Sequence, residues 1–198
     1  PVINTANGIL AGSPMAINAL EAANIAITGT ATPGNRVSLT FTPDNGGPAL
    51  RFEGDAGLNG QFSVPIARNA LPDGQYQVRA VSTDIVGNSA NGNQNLSVLV
   101  DTRTPTALVG FDSATDDAPR ITGSLTSGAV TNDTSPTLTG ALPAALASGD
   151  KIMVLRDGVE IGQAQIQGNQ FVFTDGGLAD GRYAYAARLI DAAGNAGN

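Results

Sequence analysis

Several short stretches of the chain alternate apolar and polar residues with a period of two. Val37, Leu39 and Phe41 alternate with Ser38 and Thr40, and Leu96, Val98 and Val100 alternate with Ser97 and Leu99. That period puts one face of an extended strand on a core and the other mostly in water. In the first half of the chain the pattern predicts strands at 25–30, 36–42, 50–54, 61–66, 75–83 and 95–100, separated by Gly, Pro, Asn and Asp turns. No window sustains an apolar stripe at helical spacing. The nearest candidate, 16–26, is short and runs into Thr and Gly. Short strands at this density predict an all-β fold, a β-sandwich in preference to a barrel.

The pattern occurs twice. "DGQYQVRAVSTDIVGNSA" at 73–90 matches "DGRYAYAARLIDAAGNAG" at 180–197, keeping Asp-Gly-x-Tyr before the strand and Asp-x-x-Gly-Asn after it. "NGQFSV" at 59–64 matches "GNQFVF" at 168–173, and the Thr-Gly of 28–29 matches that of 139–140. The order of matches is preserved while the spacing drifts slightly, as it does when loops of different length join the same strands. Two tandem Ig-like β-sandwich modules are therefore expected, residues 1–100 and 105–198, with 101–104 as linker. A tyrosine two residues past an Asp-Gly turn, opening the longest strand, has the position of the tyrosine corner of Ig-like sandwiches. Tyr76 and Tyr183 then serve the fold, each hydroxyl tied to nearby backbone.

Composition narrows the chemistry. Apolar residues make up 41% of the 198, with three Tyr, six Phe and no Trp, so the core rests on Val, Ile, Leu and Ala. His and Cys are both absent. This removes Ser-His-Asp triads, cysteine nucleophiles, disulfides and the usual zinc sites, and no enzymatic activity is expected. The net charge of −7 opposes nucleic acid and anionic membranes. No apolar run is long enough for a membrane-inserted helix, and no signal peptide is evident. The start at Pro1 and the end in "DAAGNAGN" predict a monomeric fragment of a longer chain.

"LPDGQYQVRAVSTDIVGNSA" with "LSVLVDTRTP" (96–105), and "LADGRYAYAARLIDAAGN" (178–195), resemble the bacterial Ig-like repeats of giant surface adhesins, the Bap-like family exported by type I secretion. "INALEAANIAITGTATPG" (17–34) and "ITGSLTSGAVTNDTSPTLTG" (121–140) resemble two common openings of such repeats. The resemblance covers essentially the whole chain. The second module shows "TND" at 131–133, where relatives more often show two acids. The resemblance implies an extracellular location on the bacterial cell surface, neighbouring Ig-like repeats of the same chain as partners, and calcium at the junctions.

Of the 17 acidic residues 14 are Asp, a residue suited both to turns and to hard-cation ligation. In an Ig-like sandwich Asp73 falls on the E–F turn of module 1, Asp101 just beyond its last strand and Glu21 just before strand B, all at its lower pole. Asp191 ends strand F of module 2, at the upper pole facing module 1. "DSATDDAP" (112–119), with Asp116 and Asp117, is expected to reach the same region. Carboxylates gathered in a net-acidic chain repel unless a cation neutralises them, and calcium accepts six to eight oxygens from such loops. Asn195 and Asn88 either supply amide oxygens or favour the turn after Gly. Asp84 with Asn88, and Asp133 with Asp180, are expected as half-sites at the two outer poles.

A turn-forming role competes with ligation at each single Asp. The "GDAGLNG" loop (54–60) lacks the Lys and the strand–loop–helix setting of a phosphate cradle. The sequons at Asn95-Leu96-Ser97 and Asn132-Asp133-Thr134 are the kind of match that chance supplies. The expected function is a structural stalk or spacer in a secreted adhesin, serving cell adhesion and biofilm, with calcium stiffening the joint. A sugar- or host-protein-binding module and an accessory domain of an extracellular enzyme are the alternatives; the scarcity of aromatic residues speaks against a sugar platform.

Overall fold

The computed structural model describes residues 1–6, 9–10, 15–92, 96–120 and 122–197. Asn95, the first residue of one predicted strand and of one sequon, lies outside them. The chain divides into two compact units, Pro1–Arg103 and Thr104–Asn198. Both are all-β.

The first unit comprises β1 (Val2–Ala6), β2 (Ile9–Leu10), β3 (Met15–Ile17), β4 (Ile25–Thr30), β5 (Arg36–Pro43), β6 (Leu50–Asp55), β7 (Gln61–Ile66), β8 (Gly74–Thr83), β9 (Ser89–Asn91) and β10 (Leu96–Val100). The second comprises β11 (Ser113–Asp116), β12 (Gly123–Leu125), β13 (Thr137–Ala141), β14 (Lys151–Arg156), β15 (Val159–Gln163), β16 (Gln165–Gln167), β17 (Gln170–Thr174) and β18 (Tyr185–Ile190). Among the described residues the stretch 16–26 forms no α-helix, only a 3-10 turn at Glu21–Ala23.

In the first unit one sheet runs β2-β1-β4-β7 and the other β3-β10-β8-β5-β6, with β9 paired to β8. All pairs are antiparallel except β10 with β3. The alternation along β5, β7 and β10 turns Val37, Leu39, Phe41, Phe62, Val64 and Val98 into one buried cluster. The polar residues between them stay mostly outside, although Ser38 is also buried. The second unit repeats the plan with sheets β12-β11-β13-β17-β16 and β15-β14-β18 around Leu138, Ile152, Val154 and Phe171.

The two retained glycine motifs have separate causes. At Gly29 a Cβ would overlap the Val2 carbonyl and the Phe62 ring, and at Gly140 the Gly110 carbonyl and the Phe171 ring. A buried phenylalanine packs against the glycine there, and only a hydrogen leaves room. Gly87 and Gly194 have φ of 94° each, a left-handed geometry that explains the Gly of Asp-x-x-Gly-Asn. The tyrosine corners are also formed. The Tyr76 hydroxyl donates to the Pro72 carbonyl at 2.7 Å, and that of Tyr183 to Ala179 at 2.9 Å.

Candidate functional site

Ladder register fixes which acids share an end of each sandwich. In the first unit Val100 lies opposite Gly74 on one side and beside Ile17 on the other. Asp73, Asp101 and the turn carrying Glu21 therefore occupy the same end. The Asp101 N–H donates to the Ile17 carbonyl at 3.0 Å. Glu21 is half-buried; its Oε2 accepts the Asn18 N–H at 3.0 Å, while Asn18 Oδ1 accepts the Glu21 N–H at 3.0 Å, so the pair caps its own turn.

Asp73 carries the densest set of bonds at this end. Its Oδ1 accepts the Thr102 N–H at 3.0 Å and the Thr102 hydroxyl at 2.8 Å, while Arg103 Nε lies 3.1 Å from Oδ2. Burial pushes the carboxyl up, but the Thr102 bonds and the Arg103 charge outweigh it and hold Asp73 below the usual carboxylate range. The predicted linker thus begins as a strap tied to the base of the first unit. Asp101 Oδ1 accepts the Arg103 N–H at 3.1 Å, which shapes that strap.

At the opposite end Asp84 and Asn88 form a closed clamp. Asp84 Oδ1 accepts the N–H groups of Val86 (3.0 Å) and Asn88 (2.8 Å), and Oδ2 accepts the Asn88 side-chain amide at 2.9 Å. The Asn88 side-chain bond, with backbone bonds from Asn88 and Val86, holds the Asp84 carboxyl low. The second unit builds the same clamp from Asp191 and Asn195, with bonds of 2.9 Å from the Ala193 N–H, 2.8 Å from the Asn195 N–H and 2.9 Å from its amide. This is the local bonding that retains Asp and Asn in both copies.

Asp116 and Asp117 do not lie with Asp191, contrary to the expectation from chain order. β11 runs antiparallel to β13, Ser113 opposite Thr139 and Thr115 opposite Thr137, so its end meets the start of β13. There the Asp117 N–H reaches Asp133 Oδ2 at 3.4 Å, and Asp116 Oδ2 accepts the Thr131 hydroxyl at 2.5 Å. The clamp of Asp191 is at the other end, where the Ala192 N–H donates to Asp150 Oδ1 at 3.1 Å beside the β13–β14 connection. Asp112, not Asp116, is the acid of this segment nearest that end, its Oδ2 accepting the Ala141 N–H at 2.8 Å. Asp116 and Asp133 are both buried, with Asp133 Oδ1 accepting the Ser135 N–H at 2.7 Å. Asp180 is exposed on the turn before Tyr183. The Leu178 N–H donates to the Thr134 carbonyl at 2.9 Å, which puts that turn at the Asp133 end.

Calcium prefers carboxylate and carbonyl oxygens left open to it. Within either unit, among the described residues, no three acidic side chains form a group that could hold a metal ion. At Asp73 an arginine already supplies the positive charge, and the carboxylates of Glu21, Asp84, Asp101, Asp116, Asp133 and Asp191 accept backbone or side-chain donors. The arrangement by itself clamps loops and straps.

One polar group escaped the sequence reading. Arg156 Nη1 donates to both oxygens of Asp175, at 3.1 and 2.9 Å, and the Tyr185 hydroxyl donates to Asp175 Oδ2 at 2.7 Å. The signal was phase. Arg156 follows Ile152 and Val154 at two-residue spacing, so a charge stands on the inward face of β14.

A family model described as "Bacterial Ig-like domain" matches residues 10–102 and again 110–198. Solved structures similar to the chain include one described as "Ca2+-stabilized adhesin helps an Antarctic bacterium reach out and bind ice", at 21% identity and a TM-score of 0.40, covering 95% of this chain and 47% of that one. Another, "Crystal structure of tetra-tandem repeat in extending region of large adhesion protein", is 20% identical with a TM-score of 0.33, covering 89% of this chain and 44% of that one. The chain spans about half the length of each. The comparison with curated proteins returns no match.

Proposed function

Because the chain belongs to the bacterial Ig-like domain family over both of its units, we propose that it serves as a pair of spacer modules in the stalk of a secreted bacterial adhesin. The observation that carries this reading is the tandem repetition of one sandwich, each copy with the same tyrosine corner and the same Asp–Asn clamp. Such repetition adds length and spacing; it does not assemble a catalytic centre. The location that follows is the bacterial cell surface, with adjoining Ig-like repeats as partners and roles in adhesion and biofilm. Among the described residues no helix is long and apolar enough to cross a membrane.

Calcium at the joint belongs to the same proposal. Glu21, Asp73 and Asp101 share one end of the first unit, and Asp191 with Asn195 closes a loop of the second, so both units hold oxygen ligands near their ends. When bound, calcium supplies the positive charge that lets carboxylates gather without repulsion. At the base of the first unit it competes with Arg103 for Asp73. Calcium is expected to raise the melting temperature and lengthen the maximum dimension in small-angle scattering, with chelator reversing both, and Arg103→Ala is expected to enlarge the response. Identical melting and identical scattering with calcium and with chelator would remove the metal from the proposal and leave the spacer role standing.

A further inference from the structure

An asparagine that precedes glycine is open to attack on its own side chain, because glycine puts no Cβ in the way of its amide nitrogen. The chain has four such pairs, all in the first unit. Asn7-Gly8 lies outside the described residues. Asn45-Gly46 sits in the β5–β6 connection, Asn59-Gly60 in the β6–β7 turn and Asn91-Gly92 at the end of β9. All three of these asparagines are exposed, but their glycines are not alike.

Three observations single out Gly46. The first is exposure: Gly46 is exposed, Gly92 half-buried and Gly60 buried. The second is the bond on the attacking nitrogen. The Gly92 N–H donates to the Ala80 carbonyl at 2.8 Å and the Gly60 N–H to that of Gly57 at 2.9 Å. The Gly46 N–H reaches the Pro43 carbonyl only at 3.2 Å, the long limit for such bonds. The third is room to move. The Ala31 carbonyl lies 2.9 Å from the point where a Gly60 Cβ would stand, and the Ala80 carbonyl 3.1 Å from that of Gly92. Around Gly46 nothing beyond its chain neighbours comes within 4 Å. The Asn45 side chain is already folded back along its turn, Oδ1 accepting the Gly47 N–H at 3.0 Å, which keeps Cγ beside the intervening Gly46 amide. Asn59 makes the same bond to the Gln61 N–H at 3.0 Å, so the glycine and not the asparagine separates the two sites.

We infer that Asn45 is a self-modification site. The Gly46 nitrogen gives its proton to solvent and bonds to Asn45 Cγ. The Cγ–Nδ2 bond breaks and ammonia leaves, closing a cyclic imide. Water then opens the ring at either carbonyl, leaving aspartate or isoaspartate. Water is consumed and ammonia released, and nothing is oxidised or reduced. Each event adds one negative charge. Pro43 lies opposite Tyr76, and the Asp44 N–H donates to the Gln75 carbonyl at 2.9 Å. The new carboxylate therefore arises at the end of the first unit that carries Glu21, Asp73 and Asp101, and the turn acts as a slow, irreversible charge switch.

Trypsin separates the three pairs into the peptides 37–51, 52–68 and 80–103, each bounded by arginines. The test incubates the 198-residue protein in mildly alkaline buffer, digests it, and follows the amide-to-acid mass change in each peptide, with fragmentation to locate the residue. Isoaspartate methyltransferase reports the isoaspartate. Conversion at Asn45 about tenfold faster than at Asn59 or Asn91, with isoaspartate in the product, is the expected result. In denaturant the three rates are expected to converge. No conversion at Asn45 in the folded protein, or conversion no faster than at the other two, overturns the inference. Aspartate without isoaspartate overturns the imide route. A ranking that persists in denaturant overturns the assignment of the site to the fold.

Discussion

The same layer of the two sandwiches is built from opposite chemistry. In the first unit Phe41 faces Val78 across the β5–β8 ladder, with Ile66 at the end of β7, and all three are buried. The Phe41 ring meets Phe52 and Tyr76 edge-on, at centroid distances of 5.6 and 6.2 Å. In the second unit the matching ladder puts Arg156 opposite Tyr185, with Asp175 just past β17 where Ile66 stands. An ion pair and a phenol replace an aromatic and two aliphatic side chains, and the strands keep their register. The fold thus requires that this layer be filled and its polar atoms satisfied; it does not require that the layer be apolar. A charged layer survives because both Asp175 oxygens are bonded and the guanidinium also lies 5.6 Å from the Tyr183 ring. Burial first, and then the bond to Asp175, pushes the Tyr185 phenol above its ordinary range.

The largest expected effect separates the two layers by truncation. Phe41→Ala removes a side chain with no exposure, opens a cavity and is expected to destabilise the first unit by about 4 kcal/mol. Core methyl resonances that report each unit separately during denaturant unfolding would show this, and a loss below about 1 kcal/mol would mean the layer collapses to fill the space. The second expectation concerns the ionic layer. Asp175→Ile alone removes the acceptor of two partners and is expected to cost the second unit about 2 kcal/mol. Combining it with Arg156→Phe and Tyr185→Val, the first unit's residues, is expected to restore or exceed the original stability. A triple variant weaker than the single one would show that the units differ in more than the chemistry of this layer.

The smallest effect lies at the strap. The Asp73 carboxyl is held below its ordinary range, so its contribution is complete above about pH 4, the unfolded-state value, and is lost as pH falls through the lower folded value. Asp73→Asn is expected to cost the first unit about 1 kcal/mol at neutral pH and to flatten that acid limb. An unaltered limb in acid-unfolding curves would assign it to other carboxylates.

Much of the fold was legible because it depends on local pattern. The predicted strands at 25–30 and 61–66 have the bounds of β4 and β7, and 75–83 falls one residue short of β8. Alternation, turn residues and repetition act over a few positions, so they read directly from the chain. β1 and β3 went unpredicted in the opening segment because they are short and gain their partners from β4 and β10, far along the chain. Among the acids, the two Asp-x-x-Gly-Asn loops were legible as a repeated motif, but the clamp was not, because it depends on the Asn88 and Asn195 amides donating to Asp84 and Asp191. Asp116 was placed at the wrong end because strand direction, not chain order, decides where a carboxylate emerges.

By itself the sequence determined the modules: two copies of an alternating, glycine-punctuated strand series, each with its corner tyrosine and its Asp-x-x-Gly-Asn loop. Those features are short-range, and a handful of neighbouring residues suffices to impose them. Only the tertiary structure decided what the acids touch. It gave Asp73 to Thr102 and Arg103, Asp116 to Thr131, and Asp175 to Arg156 and Tyr185, because those partners meet only when distant strands pair. The bond that occupies a carboxylate is set by the register of the sheet, and register is a property of the folded whole.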